Sequence, residues 1–264
     1  MSSPSLVIVG GGNMGAALAR GLVAERFLLP SELVIVEKSS DRRAILSKEF
    51  PESVISEQIL NCDSVIVAVK PNDVAEICST LKNFGAKQLL SIAAGVTIAS
   101  IESACGNSIS VVRAMPNTPA LIGQGASAMA ASVNCSSDQI SWAIKILQSV
   151  GKVVEVEENL LDAVTGLSGS GPAYIFLLAE ALIDAGVQQG LSADVANDLV
   201  RQLLVGSSAL LAQSADGPAK LRQNVTSPNG TTAAGIATLE NKHFAEIISA
   251  AVHAATARSK ELGQ

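Results

Sequence analysis

The chain has 264 residues, enough to bury a sizeable core in one domain or two, and 48% of them are hydrophobic. A formal net charge of −6, without any block of basic residues, argues against nucleic acid as a partner. The apolar runs are strand-sized and the opening MSSPS leads directly into one of them, so neither a membrane span nor a signal peptide is expected.

In chain order, short runs of Val, Ile and Leu predict strands at Ser5–Val9, Leu33–Glu37, Ser64–Val69 and Gln88–Ile92. They are continuous rather than alternating, the pattern of strands buried on both faces. Helical spacing occupies Asn13–Ala24, Asp41–Glu49 and Asn72–Asn83, with Asp41 and Asn72 as candidate N-caps. Repeated β-α units with short links imply right-handed crossovers and a mostly parallel, doubly wound sheet. Ser108–Ala114, Ala126–Ser132 and Lys152–Val156 are expected to extend that sheet, with a helix over Ser137–Val150 packed on it.

After about residue 158 the pattern becomes helical throughout, over Asn159–Gln189, Ser192–Gln213 and Thr231–Leu262. Pro172 and its neighbouring glycines predict a break in the first of these. The expected architecture is therefore a Rossmann-type α/β domain over 1–158 and an all-α domain over 159–264. The later helices carry little charge, and a partner subunit is the simplest cover for them.

Cys62, Cys78, Cys105 and Cys135 lie far apart with no CxxC pair, and read as small core residues in a reducing, cytoplasmic compartment. His243 and His253 fall within a helical pattern without metal-ligand spacing, so neither a zinc site nor a Ser-His-Asp triad is expected.

Gly10, Gly12 and Gly15 form GxGxxG between a buried strand and a helix, the context that turns a common glycine pattern into a dinucleotide site. Gly10 allows the tight turn, Gly12 lets the backbone approach a pyrophosphate, and Gly15 allows close helix–strand packing. Glu37, ending the second strand, can accept from ribose hydroxyls and so favours NADH. Lys38, Ser39, Arg42 and Arg43 follow at once and would instead suit a 2′-phosphate, or simply form a solvated face, so NADPH stays open. Ala68, Val69, Lys70 and Pro71 lie at the carboxyl edge of the sheet and are expected to face the cofactor; Lys70 is assigned no proton transfer.

Val225–Gly235 (VTSPNGTTAAG) is rich in hydroxyls and precedes a helix. Such a segment is most often a helix cap; the alternative is a carboxylate site built on the helix N-terminus. Gly166–Tyr174 (GLSGSGPAY) is either a packing kink or a wall of the substrate pocket, and Tyr174 could donate from its hydroxyl or pack in the core.

Taken together, GGGNMG, AVKP, SIAAGV, RAMPNTPA, GLSGSGPAY and VTSPNGTTAAG resemble the pyrroline-5-carboxylate reductases, in order from residue 6 to about 260. The resemblance implies reduction of 1-pyrroline-5-carboxylate to proline by NADPH or NADH, in dimers interlocked through the C-terminal helices and, in many members, pentamers of dimers. It implies that Gly10, Gly11, Gly12, Asn13, Met14 and Gly15 hold the pyrophosphate, and that Ala68–Pro71 with Ile92, Ala93 and Ala94 line the cofactor. Asn117 would lie near the nicotinamide. Ser227, Asn229, Gly230 and Thr231 would hold the substrate carboxylate, Ser170 would line the pocket, and Thr232 would hydrogen-bond the ring nitrogen. The family commonly has Gly where this chain has Asn229, the residue that best tolerates positive φ after glycine. Many NADPH-using relatives carry small or basic residues where this chain has Glu37.

Two other readings remain at this stage. One is another imine or hydroxyacid reductase sharing the first half, although such dehydrogenases usually place a Lys on a central helix and Leu160–Gln189 contains none. The other is a non-catalytic NAD(H)-binding sensor, which would have no need of a carboxylate loop.

Overall fold

The computed structural model describes residues 4–106 and 108–263. By packing, the chain divides into a sheet unit, comprising the described residues through Ser170 and those from His253 on, and a helical unit, Gly171–Val252.

The sheet unit opens with β1 (Leu6–Val9), α1 (Asn13–Ala24), β2 (Leu33–Val36), α2 (Ser40–Glu49), β3 (Val54–Ser56) and β4 (Ser64–Val67). It continues through α3 (Pro71–Leu81), β5 (Gln88–Ser91), α4 (Ile98–Cys105), β6 (Ser110–Met115), β7 (Gly125–Ala131), α5 (Ser137–Gln148), β8 (Gly151–Glu155) and the short α6 (Leu161–Val164). The strand order is β3-β2-β1-β4-β5-β6-β7-β8, parallel throughout except for the antiparallel β6–β7 pair.

Side-chain size sorts the two faces. Val7, Val9, Val34, Val36, Val65 and Val67 enter one core, under α3 and α4. Leu6, Ile8, Leu33, Ile35 and Ile66 enter the other, under α1, α2 and α5. The strands β1, β2 and β4 thus send alternate side chains into two buried layers, which is why their sequences read as unbroken apolar runs. Parallel register aligns the carboxyl ends of β1, β4 and β5 along one edge, and the loops at that edge carry the glycine motif and the AVKP segment.

Several expectations are corrected. Ser39, not Asp41, caps α2, its hydroxyl accepting from the Arg42 N–H, so the helix starts one residue earlier. Pro71 rather than Asn72 marks the start of α3, since its preset φ and missing N–H suit the first helical position. Thr97 caps α4, which the sequence reading left unassigned, and β3 is a three-residue, partly exposed edge strand without an apolar run to reveal it. Cys62, Cys78 and Cys105 are buried, whereas Cys135 is only partly so. Burial, helped by the Asp63 carboxylate, pushes the Cys62 thiol up to about 11; burial and the neighbouring Cys105 push Cys78 up to about 12. These thiols are packing groups, not nucleophiles.

The expected break near Pro172 is a widened helical turn at Thr165–Gly169, stitched by the Thr165 and Ser168 hydroxyls to carbonyls four residues back. Beyond it come α7 (Gly171–Gln188), α8 (Ala193–Gln213), α9 (Pro218–Asn224), α10 (Thr231–Asn241) and α11 (Phe244–Leu262). The stretch Thr231–Leu262 is two helices rather than one: His243 has φ 57 and lies with Lys242 in a turn between them, so this histidine stands outside the helices. The short α9, PAKLRQN, lacks the apolar spacing that would have announced it.

Candidate functional site

The glycine loop is a cradle shaped by what its glycines exclude. Gly10 has φ 107, and a Cβ there would run into the Ala68 carbonyl. A Cβ on Gly15 would strike the Gly10 carbonyl. At Gly12 a Cβ would meet nothing, because this residue faces open space at the start of α1. Gly12 is the N-cap of that helix and no side chain caps it, so the donors of the first turn (Asn13, Met14, Gly15) are left for a ligand.

The loop is pinned from below. Glu37 accepts from the Gly11 N–H at 3.1 Å through one oxygen and from the Ser39 N–H at 2.9 Å through the other. Arg42 donates from Nε to the Gly11 carbonyl at 2.7 Å. Sequence reasoning had Glu37 and Arg42 as ribose or phosphate groups; their grip on Gly11 joins segments too far apart in the chain to be read from a motif.

Beside the loop lies a cleft of about 610 Å³. Gly10, Gly12, Glu37, Ala68, Val69 and Lys70 all line it, so the structure brings together these expected cofactor residues. Ile77, Thr80 and Phe84 line it too; Ile77 was not singled out because apolar spacing on a helix reads as core, and Thr80 and Phe84 carry no motif. An open glycine, an uncapped helix start and a partly apolar cleft of this volume fit a dinucleotide. Pro71 begins α3, while Ile92, Ala93 and Ala94 follow β5 at the same carboxyl edge.

Asn117 is buried after β6, and its side chain is committed to the fold. Its Nδ2 donates to the Ser168 carbonyl at 3.0 Å and its Oδ1 accepts from the Ala126 N–H at 2.9 Å. The residue therefore ties the end of the sheet to the widened turn that leads to Ser170, which itself is half-buried and donates its N–H to the Thr165 carbonyl.

In the helical unit, Ser227–Gly230 forms a tight turn closed by the Gly230 N–H on the Ser227 carbonyl at 3.1 Å. Asn229 sits at φ 56, the left-handed region, in keeping with the tolerance expected of Asn there. A Cβ on Gly230 would meet the Ser227 hydroxyl. Gly230 is the N-cap of α10, again without a side-chain cap, and Thr231 and Thr232 are exposed at the first two helical positions. The hydroxyl-rich segment is thus a helix start that none of its hydroxyls caps. Thr226 turns instead to the Arg222 carbonyl at 2.7 Å.

The family model described as pyrroline-5-carboxylate reductase dimerisation matches residues 158–262, and that described as NADP oxidoreductase, coenzyme F420-dependent, matches residues 5–95. A pyrroline-5-carboxylate reductase from Synechocystis is 41% identical over 266 residues, covering 99% of both chains.

The chain belongs to the pyrroline-5-carboxylate reductase family.

Among solved structures, the pyrroline-5-carboxylate reductase of Coxiella burnetii superposes with a TM-score of 0.91 at 35% identity over 100% of both chains. The Plasmodium falciparum pyrroline carboxylate reductase, solved with NADP bound, gives 0.85 at 32% identity, also over 100% of both. The chain thus has the Rossmann-type sheet and helical C-terminal region of an NAD(P)H oxidoreductase family. Its helical unit exposes Ile175, Phe176 and Leu177 on α7 and Leu199, Leu203 and Leu210 on α8, within the region matched by the dimerisation family. The stretch Glu158–Gln188, where the sequence reading expected no span, is long and apolar enough by composition to cross a membrane. It lies wholly inside the dimerisation match, and helix association accounts for the same apolarity.

Proposed function

We propose that this chain reduces the cyclic imine 1-pyrroline-5-carboxylate to L-proline with NADPH or NADH, the last step of proline synthesis. The observation that carries the reading is the start of α10: glycine-capped, free of side-chain caps, and opening with Thr231 and Thr232. A bound nicotinamide coenzyme supplies the hydride; the protein's task is to hold and orient.

The substrate carboxylate is held by main-chain N–H groups of residues 229–232 with the Ser227 and Thr231 hydroxyls, at the positive end of the α10 dipole. Thr232 orients the ring nitrogen. A threonine hydroxyl is a poor acid at neutral pH, so it positions the nitrogen or relays a proton from water and is not the proton's ultimate source. Ser170 lines the pocket. The glycine loop Gly10–Gly15 carries the pyrophosphate, with Ala68–Pro71, Ile92–Ala94 and the Asn117 segment along the rest of the coenzyme.

In this reading residues 1–158 serve the coenzyme and 159–264 serve substrate binding and dimerisation. The exposed apolar faces of α7 and α8 pair two subunits, and five such dimers assemble into a decamer. Four free cysteines, three of them buried, suit the reducing cytoplasm.

Incubation of the protein with pyrroline-5-carboxylate and either coenzyme, followed by the loss of nicotinamide absorbance, tests the reading. Substrate-dependent oxidation with proline as product is expected. Folded protein that oxidises neither coenzyme in the presence of the imine would return the chain to the sensor or other-reductase readings.

A further inference from the structure

We infer that this chain discriminates against a 2′-phosphate and takes NADH in preference to NADPH, with Glu37 as the residue that decides. The inference rests on the coenzyme reading of the cleft, and not on which imine is reduced.

Glu37 lies at the carboxyl end of β2 and lines the cleft. In this fold an acidic group there meets the hydroxyls of the adenosine ribose. The two main-chain donors, Gly11 and Ser39, use one acceptor site on each carboxylate oxygen and fix the group in place. An ionised carboxylate offers roughly four such sites, so about two remain for ribose hydroxyls. A phosphate on the 2′ oxygen would instead bring like charge against a carboxylate that the backbone prevents from swinging away.

The two arginines that could offset that charge are engaged elsewhere. Arg42 is drawn under the glycine loop by its Nε bond to the Gly11 carbonyl. Arg43 donates to the Glu37 carbonyl at 2.9 Å, the Lys38 carbonyl at 2.7 Å and the Glu57 carboxylate at 3.2 Å. Its guanidinium serves as a brace for the β2 turn. Lys38 also lines the cleft, but it is exposed and leans toward Glu76 at 4.0 Å, a solvated charge rather than a fixed phosphate clamp. Lys70 follows β4, which lies on the far side of β1 from β2, away from the ribose end of the cleft. Glu37 and Glu57 both line the cleft, and the arginines beside them are spent on backbone carbonyls and, for Arg43, on the Glu57 carboxylate.

Equilibrium binding, read from the change in nicotinamide fluorescence without any imine present, tests this independently of turnover. NADH is expected to bind at least about tenfold more tightly than NADPH. Glu37→Gln removes the charge while keeping an acceptor for one of the two N–H groups, and is expected to narrow the gap by strengthening NADPH. The wild-type ratio stands as a test even if the variant is unstable. NADPH binding as tightly as NADH to the wild-type protein, or a gap unchanged in a folded Glu37→Gln variant, would overturn the inference.

Discussion

The helix starts of this protein divide by chemistry. Ser39, Thr97, Ser136 and Ser192 each accept a hydrogen bond from the first turn of the helix they precede. The helices α1, α9 and α10 begin instead at Gly12, Gly217 and Gly230, with no side-chain cap; α9 then opens on Pro218, which has no N–H to offer, so only α1 and α10 present a full first turn of donors. A hydroxyl cap is worth about 1 kcal/mol over an apolar residue, and only a few tenths over glycine. The loss at a glycine start is therefore small, and what glycine adds at α1 and α10 is access: the donors of the first turn stay open to an anion. The difference teaches that a capped start in this chain is finished structure, whereas an uncapped glycine start in the expected site is unfinished until a ligand arrives.

The largest expected effect comes from converting one class into the other. Gly12→Ser places a hydroxyl where α1 lacks a cap, in space that the protein leaves empty. The melting temperature should hold or rise slightly, while the dissociation constant for either coenzyme should weaken by about a hundredfold, as expected for crowding a close contact. Calorimetry and coenzyme titration on the same sample check this. Undiminished coenzyme binding would mean that the Gly12 start is not where the pyrophosphate lies.

A smaller effect is expected at the glycine start of α10. Thr232→Ala should lower kcat/KM for the imine by about tenfold, the scale of one hydrogen bond, with the dissociation constant for coenzyme near wild type. Steady-state kinetics and a parallel coenzyme titration separate the two. An unchanged kcat/KM would remove Thr232 from the site and leave α10 with an uncapped start of no evident use.

Much of this contrast was legible in the sequence, and the remainder failed for physical reasons. The strands β1, β2 and β4 could be read because burial on both faces makes a strand apolar at every position. The positive φ of Asn229 was legible too, since few residues suit that conformation. The cap of α2 was misplaced because Ser39 and Asp41 are both good capping residues, and only the backbone geometry chooses between them. The sequence marks Glu37 as a candidate ribose acceptor, but its hold on Gly11 crosses 26 positions, and the commitment of Arg42 and Arg43 to backbone carbonyls is likewise a matter of geometry. The division of Thr231–Leu262 at His243 escaped because apolar spacing continues on both sides of the turn.

The smallest expected effect falls on a capped start and serves as the counterweight to the other two. Ser136 precedes α5 and forms a reciprocal pair with Gln139: its hydroxyl accepts from the Gln139 N–H at 3.3 Å, and the Gln139 side chain accepts from the Ser136 N–H at 2.9 Å. Ser136→Ala breaks one half of that pair and should cost about 1 kcal/mol. In a chain of this size that is a fall of about 2–4 °C in Tm. Neither coenzyme affinity nor kcat/KM should move, because the Ser136 hydroxyl spends its acceptor on its own helix. A thermal scan beside both titrations checks all three quantities. If instead Ser136→Ala weakened coenzyme binding as strongly as Gly12→Ser, the division between finished and unfinished helix starts would have no functional content. The loss at Gly12 would then reflect only a loosened sheet unit.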